Sequence, residues 1–494
     1  MSTPHVVVIG AGVGGLAAAI ELAASGARVT VLESADEPGG KMRQLTVSGQ
    51  GVDAGPTVFT MRWIFDGLLA QADTNLESIL NFQQADVLAR HAWRQGGELD
   101  LYASTDKSYA AIEAFSGKEN ADGYRAFCAR SEDIYDTLRE PFIAGSRPGM
   151  LELVRRVGFS RLDAMWRTAP FQSLWNSLGN HFSDQRLRQL FGRYATYVGS
   201  SPLKAPATLM LIAHVEQDGV WLVEGGMRAV AHGLAEVAIG LGAHFHYGVS
   251  ASHINLQRGA ARSVTTSEGE TIAADAIVFN GDISALGTGL LGEEARQAVT
   301  PVAASQRALS AVTFCAVAKV SGFALHYHNV FFAEDYPEEF AAIFGRRDIC
   351  AYPTVYVCAQ DRASGEDPGQ PERLLLLINA PADGDSLSFS DGEREALRQR
   401  ALQVMSACGC MLDFSDGGWV TTDPSAFNDR FPASGGSLYG RANHGSMASF
   451  ARPGARSRVP GLYLAGGSVH PGAGVPMSAM SGRLAAGAVL EDRQ

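Results

Sequence analysis

Positive charge is scarce in this chain. Forty Lys and Arg stand against 52 Asp and Glu over 494 residues, a formal net charge of −12. No basic excess is left to neutralise a phosphate backbone, so nucleic acid is excluded as a partner. Cysteine is sparse too, and six in so long a chain make no disulfide framework. The one close pair, Cys408 and Cys410, has no neighbouring Cys or His set to complete a metal site. A reduced, cytoplasmic protein with no metal is expected. Uninterrupted apolar runs of spanning length are missing as well. The apolar stretch in the first 24 residues is broken by glycines and has no basic segment before it, so it reads as neither signal peptide nor anchor. Any membrane association is then monotopic. Repeats and low-complexity segments are absent, and the length points to two or three domains.

Glycine, by contrast, is plentiful, and its first cluster is ordered. Val6 to Ile9 run apolar and β-branched, as in a parallel strand buried on both faces. Gly10, Gly12 and Gly15 follow as G-x-G-x-x-G, with Gly14 inside the motif. The first glycine permits the tight turn, the second lets backbone approach a pyrophosphate, and the third lets the helix sit close on the strand. The helix expected from Gly14 to about Ser25, closed by Gly26, aims its N-terminal amides at that pyrophosphate. A second strand, Arg28 to Leu32, ends in Glu33, 23 positions after Gly10, where a carboxylate takes both hydroxyls of an unphosphorylated adenosine ribose. An ordinary βαβ unit without ligand is the alternative. Strand before, helix after and acid at the right distance favour the dinucleotide. Gly287 to Gly292 repeats the pattern literally, but no strand runs into it and Glu293-Glu294 follows where phosphate would sit. No second nucleotide site, and hence no NAD site, is expected there.

Flavin is favoured over nicotinamide by the sequel, Pro38-Gly39-Gly40-Lys41 and then Asp53-Ala54-Gly55-Pro56-Thr57. The combination resembles the FAD-binding oxidoreductases of the amine oxidase and carotenoid desaturase superfamily. The resemblance implies that Gly39, Gly40 and Lys41 lie along the diphosphate and ribityl chain, with Gly55, Pro56 and Thr57 also in the cofactor site. Lys41 stands where that superfamily more often has Arg, which keeps the charge and gives up a bidentate fork. Near the other end, Pro460 to Met477 reads as a buried strand entering a glycine turn, followed by a small-residue helix to about Leu490. By the same resemblance Gly466, Gly467, Gly474, Val475, Pro476 and Met477 border the flavin. Gly467 occupies a place where the superfamily usually has an acid. His470 to Pro476 matches the H-P-G-A-G-x-P segment of the bacterial-type carotenoid desaturases, and the likeness to that family runs from Val6 to the carboxy terminus, through Gly225-Gly226 and Asn280-Gly281-Asp282.

Family membership would imply FAD, a backbone contact to adenine near Ala251, a role for Asp282 in the cofactor site, and an apolar carotenoid as substrate. The nearest branch introduces the 3,4 double bond into acyclic 1-hydroxy or 1-methoxy carotenoids. Phytoene desaturation is the enzymatic rival, and a non-redox isoprenoid-binding protein is the rival of another class. Oxygen or a quinone would take the electrons, and the protein would sit peripherally on the inner or photosynthetic membrane. His470 is the one candidate for acid or base work, although a histidine before Pro-Gly also serves to satisfy a turn. A carotenoid comes from lipid, so burying it gains little, and selectivity falls to tunnel length and a polar group reading the 1-hydroxyl or 1-methoxy end. A site that hydrogen-bonds a substrate hydroxyl rejects the deoxy analogue by roughly four orders of magnitude.

The expected fold is α/β. A discontinuous Rossmann-like FAD-binding domain takes residues 1–70, 220–290 and 455–494. A helical, membrane-facing cap with part of the substrate domain takes 71–219, and an α+β substrate domain with an antiparallel sheet takes 291–454. Strands of that sheet are expected at 310–320, 330–333, 351–359 and 373–380. Between Met150 and Gly192, Leu151, Leu153, Phe159, Leu162, Met165, Trp166, Phe171 and Trp175 interleave with Arg155, Arg156, Arg161 and Arg167. Such a run suits either a surface dipping into lipid headgroups or the core helices of a cap.

Overall fold

The computed structural model describes residues 3–158 and 167–493. Its first layer is a five-stranded parallel sheet in the order Leu462–Leu464, Ala276–Phe279, His5–Ile9, Arg28–Glu33, His244–Tyr247. Val6, Val7 and Val8 are wholly buried between helices on one face and the three-stranded antiparallel sheet Ala251–Gln257, Ala260–Thr266, Thr271–Ala273 on the other. The central strands therefore run apolar over Val6–Ile9 and Ala276–Phe279 instead of alternating. Helix Val13–Ala24 packs between Val475–Glu491 and Gly226–Gly240. A methyl group on Gly482 would stand 2.0 Å from the carbonyl oxygen of Gly14, so the last helix crosses the first at backbone contact. That contact fastens the two ends of the chain together.

The second sheet has seven strands, ordered Met411–Thr422, Ser310–Ser321, Glu372–Ala380, Val355–Ala359, His328–Phe332, Val87–Trp93, Glu98–Tyr102. All pairs are antiparallel except His328–Phe332 with Val87–Trp93, which makes the sheet mixed. Val87–Trp93 is hard to read as a strand because Arg90 and His91 interrupt its apolar pattern. Arg90 is answered by a bidentate pair with Asp100 on the next strand at 2.7 Å, and the His91 ring is buried against Trp93 and Phe332. A hairpin, Gln44–Val47 with Gln50–Asp53, leaves the first layer and lays Val47, Val52 and Ala54 on Cys315, Val317, Cys358 and Leu375 of the second.

Asp53, the acid of the D-A-G-P-T segment, couples the layers. Its carboxylate accepts the backbone N–H of Met227 at 2.7 Å, and its own N–H and C=O are both held by the Gln360 amide at 2.9 Å. A Cβ on Gly226, which sits at φ +71°, would lie 1.9 Å from that carboxylate. The Gly225-Gly226 pair thus admits an acid at the start of helix Gly226–Gly240, where the dipole favours it.

Helix Lys118–Leu138 and the segments from Leu174 to Gln217 form a helical layer around Phe127, Phe182 and Phe191, whose rings stack within 4.7–5.6 Å of one another. The interleaved run of the sequence divides between two fates. Leu153, Leu174, Leu178, Leu187 and Leu190 are core, whereas Leu151 and Phe171 are 86% and 74% exposed. Phe159, Arg161, Leu162, Met165 and Trp166 lie outside the described residues. No helix among the described residues is long and apolar enough to cross a membrane.

Candidate functional site

Between the two sheets runs a single cavity of about 1340 Å³. That exceeds the roughly 300–1,000 Å³ of a pocket for one small ligand. Gly10, Gly12, Gly14, Glu33, Gly39, Gly40, Lys41, Gly55, Pro56, Thr57, Ala251, Asp282, Gly466, Gly467, Gly474, Val475, Pro476 and Met477 all line it. Residues from opposite ends of the chain therefore meet on one wall.

Two expected site residues are not brought to that wall. Gly15 is one, since its Cβ position lies 2.0 Å from the carbonyl oxygen of Gly10 and its glycine serves the contact of helix on strand. His470 is the other. Its ring is 2% exposed, its Nε2 donates to the carbonyl of Gly145 at 3.0 Å, and it meets the Phe142 ring edge-on at 4.8 Å. Burial pulls its pKa down to about 4, so the imidazole is neutral at pH 7. Pro471, not His470, faces the cavity. The candidate acid or base is a strut between the glycine turn and the helical layer.

At the crevice end the wall is mostly backbone. A Cβ on Gly14 would meet the side-chain oxygen of Asn280 at 2.6 Å, the carbonyl of Ser478 at 2.9 Å and the amide of Gly466 at 3.0 Å. Gly39, at φ +128°, donates to the carbonyl of Ala11 at 2.9 Å and lays the second glycine pair along the first. Glu33 is 7% exposed; one carboxylate oxygen accepts Ala11 N–H at 2.7 Å and the other Ala35 N–H at 2.9 Å and the Ser34 hydroxyl at 3.2 Å. Each oxygen has about two acceptor positions. The remaining capacity suits a ribose diol, and the exposed backbone of the glycine turns suits a diphosphate. Lys41 Nζ donates to the carbonyl of Leu438 at 2.7 Å; burial lowers its pKa, and the Asp282 carboxylate works in the other direction. Arg452, pushed down to about 10 by burial, holds the carbonyls of Gly467, Tyr439 and Arg441 at 2.6–2.9 Å. It fixes the glycine that replaces the superfamily's acid. Leu290 and Leu291, from the second G-x-G-x-x-G, lie on the wall near Ala251 as apolar side chains.

The opposite wall is made of side chains. Thr57 Oγ1 and the Tyr356 hydroxyl are 2.6 Å apart, and that hydroxyl is 2.7 Å from Nδ1 of His328, whose pKa burial lowers to about 3. Arg193 lies over Tyr356 and Tyr197, each ring centre 5.1 Å from the guanidinium. Glu216 accepts from Tyr194 at 2.8 Å; burial raises its pKa, opposed by the tyrosine hydroxyls and by Arg193. Leu209, Ile212, Val215, Leu375 and Leu377 fill the spaces between, and Leu138, Phe142, Met150, Leu153 and Phe171 continue the lining toward the surface. Arg193, Tyr197, Glu216 and Tyr356 escape the sequence reading. The one trace they leave is Arg-x-x-x-Tyr, a spacing that puts both side chains on one face of a helical turn in an otherwise apolar segment.

All six cysteines are free, and no group of three or more His, Cys, Asp or Glu able to hold a metal occurs among the described residues.

A family model described as flavin containing amine oxidoreductase matches residues 13–490. Hydroxyneurosporene desaturase from Rubrivivax gelatinosus is 51% identical over 489 residues, covering 98% of this chain and 93% of that protein. A 1-hydroxycarotenoid 3,4-desaturase from Flavobacterium sp. is 30% identical over 97% of this chain and 98% of its own. Among solved structures, putrescine oxidase with bound putrescine superposes over 100% of this chain and 99% of that one, with a TM-score of 0.61 at 15% identity, a likeness of fold.

Proposed function

Because the chain belongs to the flavin-containing amine oxidoreductase family and, within it, to the carotenoid desaturases, it is an FAD-dependent oxidoreductase, and we propose that it desaturates the 3,4 bond of an acyclic carotenoid bearing oxygen on C1. The observation that carries this reading is the continuity of the cavity, which joins a backbone-lined crevice to an apolar chamber. FAD in the crevice would supply the acceptor for a hydride from the allylic carbon, while the neighbouring carbon releases a proton. In this reading Glu33 takes the ribose, Gly12, Gly14, Gly39 and Gly40 admit the diphosphate, and Gly466, Gly467 and Gly474 to Met477 border the ribityl chain and ring. Lys41 and Asp282 line the same region with charges of opposite sign. Segments 1–70, 220–290 and 455–494 together form the cofactor domain.

The rest of the chamber positions the polyene. Its apolar side chains hold the reacting C–H over the cofactor and keep water from it. We assign no strong base, since His470 is held off the wall and a positive charge on a conjugated chain is spread along it. Phe171, on the chamber's lining, and Leu151, on helix Met150–Val157 with Arg155 and Arg156, are exposed and suit contact with a lipid surface from which the substrate is drawn. Oxygen or a quinone then takes the electrons.

The test is an anaerobic mixture of the flavin-loaded protein with 1-hydroxyneurosporene in liposomes. Bleaching of the flavin band with a red shift of the polyene absorption is expected. A flavin that stays oxidised with the carotenoid, or that a water-soluble amine reduces instead, would sink the reading. Replacing Leu151 and Phe171 by Asp should weaken liposome binding about tenfold and leave detergent-dispersed turnover in place.

A further inference from the structure

Arg193 is a cation facing a chamber proposed to hold a hydrocarbon. It opens the 3-10 turn Arg193–Val198, directly after helix Gln185–Gly192, and Tyr197 follows four positions on. One guanidinium nitrogen donates to the Tyr197 hydroxyl at 3.0 Å. Among the described residues this is the side chain's only hydrogen bond, and it makes no ion pair. An arginine has five N–H donors. The others face a wall that also contains Leu209, Ile212 and Val215. Unpaired donors in such a setting cost free energy, and a folded protein keeps them where a ligand or water satisfies them. The polyene itself offers no acceptor.

We infer that Arg193, steadied by Tyr197, donates a hydrogen bond to the oxygen on C1 of the substrate and sets the specificity of the enzyme. The inference rests on the desaturase reading above. It follows from where the cluster lies. In a 1-hydroxycarotenoid only one methylene separates C1 from the C3–C4 bond, so the group that reads the oxygen must stand beside the reacting bond, not at the distant end of the tunnel. Arg193 lies over Tyr356, and the Tyr356 hydroxyl is 2.6 Å from Thr57 of the Gly55-Pro56-Thr57 turn that borders the cofactor crevice. Glu216, bonded to Tyr194 on the neighbouring position, also lines the cavity and supplies an acceptor for a hydroxyl proton. A donor such as Arg193 serves a hydroxyl and a methoxy oxygen alike, because both accept. Replacing the hydroxyl by hydrogen leaves the guanidinium unpaired, which is how a polar site rejects a deoxy analogue.

The experiment compares kcat/KM for 1-hydroxyneurosporene, its 1-methoxy ether and neurosporene, with flavin occupancy measured on each preparation. Wild type should prefer both oxygenated substrates by at least about 100-fold. Arg193→Leu should reduce that preference at least about tenfold, through loss on both oxygenated substrates, with flavin occupancy unchanged. Arg193→Lys, which keeps one donor and the charge, should fall between them. If Arg193→Leu does not load flavin, the same ratio is read in Arg193→Lys and Tyr197→Phe. An unchanged preference in any loaded variant overturns the inference and leaves the desaturase reading standing. Failure of wild type to act on any carotenoid overturns both.

Discussion

One wall of the cavity is backbone and the other is side chains. Where residues 10–15, 39–40 and 466–474 converge, a methyl group on Gly14, Gly15 or Gly39 has no room, and contacts are made by amides and carbonyls that every residue possesses. Across the cavity, Thr57, Arg193, Tyr197, Glu216 and Tyr356 supply hydroxyls, a guanidinium and a carboxylate from four separate places in the chain. A wall of backbone can bind what all relatives share, the diphosphate and ribityl parts of a cofactor. It has little means of telling one polyene from another. Discrimination must then reside on the side-chain wall, where a substitution changes chemistry without closing the crevice.

The contrast is broken most severely from the backbone side. Gly14→Ala adds a methyl group in a helix, where alanine is intrinsically better by about 1 kcal/mol. Here the new carbon would press on Asn280, Ser478 and Gly466 at 2.6–3.0 Å, two of them backbone atoms that cannot swing away. Crowding of this kind typically costs about 1–3 kcal/mol, so a lower melting temperature and at least a tenfold loss of bound flavin are expected, read from flavin absorbance per protein. A more stable, fully loaded variant would show that the wall has slack. Glu33→Gln is milder. It keeps the shape and exchanges one acceptor oxygen for a donor facing either Ala11 N–H or Ala35 N–H. Titrating deflavinated protein with FAD should give affinity weaker by about 10- to 100-fold, in line with the about 1.5–3 kcal/mol of a hydrogen bond to a charged group. The preference among carotenoids should not move. If it does, the two walls are not independent.

Those glycines were legible in the sequence for the reason they are fragile. Only one residue type fits, so the requirement is written at a fixed spacing along a short stretch. Asp53 was legible as part of D-A-G-P-T, but its work as the anchor of helix Gly226–Gly240 depends on Met227, far along the chain. Val87–Trp93 hid because a charge interrupts it, and that charge is satisfied by a neighbouring strand a one-dimensional pattern does not show. Arg193, Tyr197, Glu216 and Tyr356 hid for the strongest reason. Their proximity is a property of the packed sheets, and none of them is the only residue its own backbone position would accept.

His470 crosses between the walls and produces the smallest expected effect. It belongs to the glycine-rich signature, yet it acts through a side chain, donating to Gly145 across the interface with the helical layer. Burial brings its pKa from 6.5 down to about 4, helped by Arg147 and Arg156 and opposed by the Gly145 and Phe142 backbone. The folded state therefore binds fewer protons than the unfolded one. The stability from keeping this ring neutral is fully present above about pH 6.5 and is lost as pH falls toward 4, on the order of 2 kcal/mol by pH 4.5. His91, His328 and His444 slope the same way in wild type and variant, so they cancel in the difference. His470→Gln should be less stable by about 1 kcal/mol at pH 7.5, for the hydrogen bond to Gly145, and the two stability curves should meet at about pH 6 and cross below it. Flavin content and carotenoid preference should stay level throughout. Parallel curves would mean that the ring takes up its proton as readily in the folded protein as in the unfolded one, and a fall in turnover at constant stability and constant flavin would return His470 to the chemistry.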